Sequence, residues 1–309
     1  GVERVYLEYL SHVLADVLRR GHKPQFWGDI IVSHPELVRE LPRDVIALEW
    51  GYEADHPFDD HGRKFAAAGV PFYVCPGTSS WTSLAGRSDN ALANLHSAAE
   101  NGLKHGAVGY LNTDWGDGGH WQSPPVSWLG FVAGAAYGWC LESNAALPAA
   151  ETTSLFAFED PTGNMGKVTF ALGNVYRAPG FEPPNSSLLY HLIHAEAEQV
   201  SQAPYVTEAG IKNALRAIDD AMLPMRQEHM ARPDAALIVR EYENTTRLMR
   251  YACHRGLGLL AGTQPDRDPA LRAELAAFLE EYRALWLERS RPGGLKDSTR
   301  RFEELLHRA

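Results

Sequence analysis

The chain has little cysteine. Cys75, Cys140 and Cys253 are the only three in 309 residues, an odd number, far apart and without a Cys-x-x-Cys pair. That excludes a disulfide framework and a zinc knuckle, and it suits a reducing, cytoplasmic setting. Long apolar runs are missing as well. No stretch approaches the roughly 18 consecutive apolar residues of a membrane-spanning helix, and the opening GVERVYLEYL carries charges where a signal peptide needs an apolar core. Nor is there a block of one charge. The net charge is −10 with acids and bases interspersed, so nothing gathers the basic surface that neutralises phosphates. Nucleic acid and membrane are set aside as partners.

What is present is a globular composition, 45% hydrophobic and 10% aromatic, ample for a packed core. Apolar residues at Val2, Val5, Tyr6, Tyr9, Leu10, Val13, Leu14, Val17 and Leu18 keep helical spacing, closed by Arg19, Arg20 and Gly21. A short apolar run, Pro24 to Trp27, precedes an expected helix over His34 to Leu41. DVIALEW (Asp44 to Trp50) is the near-continuous apolar run of a buried parallel strand. Helix and strand then alternate: a helix over Phe58 to Ala68, a strand over Val70 to Cys75, a helix over Ser88 to Leu103, a strand over Ala107 to Leu111 and a helix over Pro125 to Leu141.

Alternating βα units predict a parallel sheet with helices packed on it. Four units are half of an eight-unit barrel, and the series opens on a helix without its strand. The expected fold is therefore α/β: residues 1–143 as the C-terminal half of a TIM-type (β/α)8 barrel, followed by an all-helical domain over 144–309. The first residue is Gly and not Met, so the native N-terminus is expected upstream. In the second domain helices are expected over Thr162 to Tyr176, Pro184 to Gln199, Glu208 to His229, Asp234 to Leu260, Asp268 to Glu288 and Asp297 to His307. A complete four-stranded α/β sandwich is the alternative.

In a parallel barrel the site lies at the C-terminal strand ends. The first strand ends in Trp27 and Asp29, the second in Trp50 and Glu53, the third runs from Tyr73 towards Trp81, and the fourth into Asp114, Trp115, Asp117, His120 and Trp121. Five of the eight tryptophans thus fall at strand ends, where indole faces stack on sugar C–H faces and carboxylates accept from hydroxyls. The expected partner is a carbohydrate. Trp128, Trp139 and Trp286 fall within helix patterns and are expected in the core. Asp114, Asp117 and His120 offer metal donors, but on one Gly-rich loop with no second cluster, so neither metal nor cofactor is assigned. Strand alternation turns Glu49 away from Trp50, towards the helices.

FWGDII (Phe26 to Ile31), ALEWGYE (Ala47 to Glu53), YLNTDWGDGGHWQ (Tyr110 to Gln122) and RSRPGGLKDS (Arg289 to Ser298) resemble glycoside hydrolase family 20, the β-N-acetylhexosaminidases with a helical C-terminal domain. The resemblance implies that Trp27 and Trp50 wall the pocket for an N-acetylated sugar. Trp115 and Asp117 match the family's Trp-x-Glu with Asp for Glu. Tyr73 matches its Tyr-x-Asp tyrosine without the aspartate. The family's catalytic Asp-Glu dipeptide occurs nowhere in the chain, and by strand count its place is upstream of Gly1. In that family the glutamate is the general acid and the substrate's acetamido oxygen the nucleophile. The resemblance implies a retaining hydrolase of terminal β-linked N-acetylhexosamine, inactive in the part seen here. A non-catalytic carbohydrate-binding protein, or a glycosidase using Asp29, Glu53 or Asp117 as catalytic carboxylates, are the alternatives. A homodimer is left open.

Overall fold

The four apolar runs pair with one another. In the computed structural model, which describes every residue except 35, 38, 39, 43 and 309, β1 (Gln25–Trp27), β2 (Ile46–Trp50), β3 (Phe72–Cys75) and β4 (Gly109–Tyr110) form a four-stranded sheet ordered β1-β2-β3-β4. All neighbours are parallel, with Phe26 opposite Ala47, Leu48 opposite Tyr73 and Val74 opposite Tyr110. Helices α1 (Val2–Arg19), α2 (Asp29–Ser33), α3 (Phe58–Ala68), α4 (Ser88–His105), α5 (Trp128–Trp139) and α6 (Leu141–Asn144) alternate with and follow these strands. The helix expected over His34 to Leu41 falls across residues outside the described ones.

Eight further helices follow: α7 (Ala149–Phe156), α8 (Asn164–Leu172), α9 (Leu188–Leu192), α10 (Ala197–Ser201), α11 (Glu208–Met222), α12 (Ala235–Leu260), α13 (Pro269–Arg289) and α14 (Leu295–His307). The chain is thus mostly helical with a small parallel sheet, an α/β protein. It divides into two compact units, one of Gly1–Gly77, Asn90–Thr113 and Ala133–Ala146, the other of Thr78–Asp89, Asp114–Val132 and Leu147–Ala309. The segments Thr78–Asp89 and Asp114–Val132, read from sequence with the strands, pack in the second unit.

In the first unit strand alternation builds two faces. Ala47, Phe72 and Val74 turn to one side, where they pack with Phe58, Phe65 and Leu14. Ile46, Leu48 and Cys75 turn to the other, with Trp50 and Tyr73 partly buried beside them. A buried Phe or Leu of this kind contributes roughly 1.5–3 kcal/mol. On α1 the buried residues are Leu7 and Leu14, whereas Val2, Val5, Tyr9 and Val13 of the expected apolar stripe are exposed. Trp139 is a correction to the expected core. The residues of α5 buried in this unit are Ala133, Gly134 and Tyr137, and Trp139 stands roughly 200° round the helix from Tyr137, 89% exposed.

The core of the second unit gathers around Phe158, Met165, Ile211, Tyr242, Phe278 and Phe302. The buried Tyr242 hydroxyl donates to the Pro125 carbonyl at 3.1 Å and shares a hydrogen bond with the Thr169 hydroxyl. Trp128 packs against this core with Arg232 over its ring, and Trp286 lies beside Tyr282.

Candidate functional site

The residues expected to bind sugar are divided between the two units. In the first, Trp27 closes β1 and is 36% exposed, and Asp29 opens α2 two residues later. Trp50 ends the neighbouring strand, and its indole N–H donates to Asp29 Oδ1 at 3.2 Å. Its ring stacks on Tyr52 with centroids 5.3 Å apart. Two expected residues, Asp29 and Trp50, are therefore brought together, with the carboxylate orienting the indole.

The loop after β2 is pinned by α4. Asn94 Nδ2 donates to the carbonyls of Gly51 and Glu53, both at 2.9 Å, while Asn90 donates to the Tyr52 carbonyl and accepts from the Ala54 N–H. These residues, one helical turn apart, satisfy loop groups that strand pairing leaves open. They hold Tyr52 and Glu53 at the strand end. Tyr73 lies with its ring across Gly109 of the neighbouring strand, on the sheet face of Leu48 and Trp50.

In the second unit Asp114 gathers hydroxyls. Thr78 Oγ1 and Ser80 Oγ donate to Asp114 Oδ1 at 2.5 and 2.6 Å, and Ser127 Oγ reaches Oδ2 at 3.0 Å. All three hydroxyl residues are buried. Asp114, expected to accept from a sugar, accepts from these three hydroxyls and remains exposed. Asp114 joins the segment after β3 to the segment after β4.

The Asp114 to Trp121 loop is shaped by positive φ at Gly118 (67°), Gly119 (118°) and His120 (55°). At Gly118 a Cβ would meet the Tyr190 hydroxyl at 1.9 Å, and that hydroxyl donates to the Gly118 carbonyl, so the position needs glycine twice over. The His120 carbonyl accepts from Tyr282, and its ring meets Trp286 edge-on. Gln122 holds the Trp115 carbonyl at 2.8 Å. Trp115 is partly buried and Asp117 exposed, so both keep surface for a ligand.

Trp81 and Trp121 take a different part from the one expected. Trp81 is 1% exposed and donates to Asn185 Oδ1 at 3.1 Å, while Trp121 is 4% exposed, donates to the Ser298 carbonyl at 3.0 Å and packs on Phe302 at 4.5 Å. Their faces are covered by protein, so they stabilise the unit and offer no platform to a sugar.

Sequence reasoning missed the backbone around Trp81. Ser79 (φ 58°), Thr82 (φ 48°) and Leu84 (φ 76°) are three non-glycine residues in the left-handed region within six positions, at a cost on the order of 1 kcal/mol or more each. Asn185 holds the segment by accepting from Trp81 and, through its carbonyl, from Thr82 at 2.7 Å, and Arg87 donates to Ser79 Oγ at 3.0 Å. Only the GTSS run hinted at a turn.

Also missed was a cluster on the helix-facing side of β2. Glu49 is 1% exposed, as strand alternation required, and its Oε1 lies 2.7 Å from both His56 Nε2 and His61 Nδ1. Burial pushes the Glu49 carboxyl up, but the hydrogen bonds and charge of the two imidazoles outweigh it and hold it below the ordinary range. Among the described residues, the metal-type donors that converge are these three and not Asp114, Asp117 and His120.

His194, packed on Trp121 at 5.1 Å, gives this unit an acid sensitivity. Burial first, then the charges of Arg301, Arg255 and Arg308, lowers its pKa from 6.5 to about 4. Above pH 6.5 both folded and unfolded states carry neutral His194. Below it the unfolded chain takes up a proton that the folded one refuses, so stability falls from pH 6.5 towards pH 4, by at most about 3 kcal/mol. His194→Phe should flatten the difference in urea midpoint between pH 7.5 and pH 5. Parallel pH profiles for wild type and variant would sink this.

No protein-family model and no curated protein matches the chain.

Proposed function

We propose that the chain forms the sugar-binding part of a retaining β-N-acetylhexosaminidase, half of a (β/α)8 barrel with an all-helical domain after it. The observation that carries this is the Trp50–Asp29 pair. Two adjacent parallel strands end in an indole and a carboxylate, hydrogen-bonded to each other, with Trp27 exposed beside them and Tyr52 stacked on Trp50. An oriented indole face with a neighbouring acceptor suits a neutral sugar ring with hydroxyls at its edge. Trp115 and Asp117 lie two residues apart on the loop after β4, the first half-buried and the second exposed. The parallel order and the exposed stripe of α1 are compatible with further βα units beside β1.

The work assigned to these residues is recognition. No Asp-Glu dipeptide is present to protonate a leaving group and orient an acetamido nucleophile, and general acid catalysis is worth ~10²- to 10⁴-fold. The chain should therefore bind N-acetylglucosamine or N-acetylgalactosamine and hydrolyse chromogenic N-acetylhexosaminides at least ~10²-fold more slowly than an enzyme bearing that pair.

The test is titration of N-acetylglucosamine against the chain, followed by tryptophan fluorescence, for wild type and Trp50→Ala. Loss of one stacking face should weaken binding on the order of tenfold, the equivalent of ~1.4 kcal/mol. Undetectable binding by the wild type, or equal affinity in the variant, overturns the proposal. Full turnover by this chain, abolished in Asp117→Asn, would favour a glycosidase using its own carboxylates.

A further inference from the structure

The sheet buries an acid it does not need for packing. Glu49 is the last residue but one of β2, between Leu48 and Trp50, on the face that otherwise carries Ala47, Val74 and the phenylalanines of α3. An apolar residue at this position would continue that face. A buried carboxylate costs several kcal/mol unless its charge is compensated. Among the described residues its ionisable partners are His56, on the loop after β2, and His61, in α3.

A carboxylate and two imidazoles that converge on one point are a donor set for a divalent transition-metal ion, which would give the buried carboxylate a direct charged partner. The geometry suits it. Nε2 of His56 and Nδ1 of His61 approach the same Oε1 at 2.7 Å, the three donor atoms lie within 4.8 Å of one another, and the rings stand 82° apart with centroids 5.3 Å distant. Two histidines and a carboxylate are a common first shell for zinc, at about 2.0–2.2 Å per bond. The donors, 2.7 Å apart, need to part by roughly 0.6 Å to stand at tetrahedral spacing around the ion.

The surroundings fit as well. Both histidines keep some exposure, 17% and 21%, so an ion and a completing water can reach the donors while Glu49 anchors the site from below. The loop is shaped around the ligand: a Cβ at Gly51 would fall 2.0 Å from His56 Nδ1, so glycine there is what lets His56 fold back over the strand. Phe58 meets the His56 ring edge-on at 4.5 Å and limits its rotation.

We propose that Glu49, His56 and His61 form a transition-metal site, zinc being the best match, that ties the loop after β2 to α3. On binding, His56 Nε2 and His61 Nδ1 give up their protons and turn lone pairs to the metal, the protons moving to the opposite ring nitrogens or to solvent. The role is structural. It fixes the loop that carries Tyr52 and Glu53.

The probe is Co²⁺, added to the full chain after chelator treatment and dialysis, with Zn²⁺ as competitor. One equivalent of Co²⁺ should give the visible bands of a low-coordinate site, displaced by Zn²⁺, and His56→Gln or His61→Gln should weaken binding at least tenfold with the far-ultraviolet circular dichroism unchanged. Glu49→Gln should do the same if it folds. Zn²⁺ should also shield His56 and His61 from diethyl pyrocarbonate, read by peptide mass spectrometry, which needs no substitution. No Co²⁺ band in the wild type, unchanged affinity in a folded histidine variant, or no shielding overturns the site and leaves a hydrogen-bonded triad only.

Discussion

Asp114→Ala should cost the second unit about 2–4 kcal/mol, more than an exposed carboxylate ordinarily accounts for. Asp114 itself is largely in solvent, but it accepts from Thr78, Ser80 and Ser127, all buried. Those hydroxyls can partly rescue one another. Thr78 and Ser80 lie 3.1 Å apart, and Ser127 lies 2.9 Å from Ser80, so two donors can be redirected within the cluster while the third loses its acceptor. What remains is one unsatisfied buried hydroxyl, at about 1–3 kcal/mol, plus the loss of charge-assisted bonds in favour of neutral ones. Asp114→Asn keeps one acceptor oxygen and should cost about half as much. Urea unfolding of the two variants checks this, and a loss below about 1 kcal/mol for Asp114→Ala would show that the hydroxyls re-pair completely. On the proposed function, the same substitution frees the segment carrying Trp115 and Asp117, so affinity for N-acetylglucosamine should fall as well.

The difference between what Asp114 looks like in the sequence and what it does in the structure shows where legibility ends. β2 could be read from DVIALEW because a parallel strand covered on both faces has to be apolar nearly throughout, and it appears as Ile46–Trp50. The limits of α3, Phe58–Ala68, could be read because Gly69 stops it in the left-handed conformation at φ 69°. The expected helix over Pro184 to Gln199 is instead α9 and α10, since Ser187 caps one at Tyr190 N–H and Glu196 with Gln199 boxes the other, and capping signals inside a continuous apolar pattern are easily overridden. The helix expected to His229 stops at Met222, where Pro224 enters a 3-10 turn.

Site residues were legible only where the answer is local. Glu49 facing α3 followed from alternation, and Trp50 at a strand end followed from the strand. That Trp81 and Trp121 are buried depends on Asn185, Ser298 and Phe302, more than 100 residues away in sequence, and no spacing rule reaches that far. The Glu49, His56, His61 convergence had a signal that went unread. His61 is on the helix that packs against the face to which alternation sends Glu49.

Arg255→Met should be the most destabilising of the substitutions considered, by about 3–5 kcal/mol. Arg255 is 1% exposed near the C-terminal end of α12, its guanidinium bidentate on Asp266 at 2.7 and 2.9 Å and donating to the carbonyls of Leu192 and Ala195 at 2.8 Å each. Which partner suffers decides the size of the effect. Asp266 keeps 18% of its side chain in solvent and lies 3.5 Å from Arg308, so after the substitution it can hydrate and lean on a second cation. The two carbonyls end α9 and the turn after it, where no helical N–H follows to replace the lost donor. Most of the cost therefore comes from backbone acceptors left buried, and methionine of similar length recovers only the packing. Adding Asp266→Asn to Arg255→Met should accordingly restore less than about 1 kcal/mol, because the carboxylate is not the group left stranded. A double variant that regains most of the loss in urea unfolding would reverse this assignment and put the energy in the ion pair.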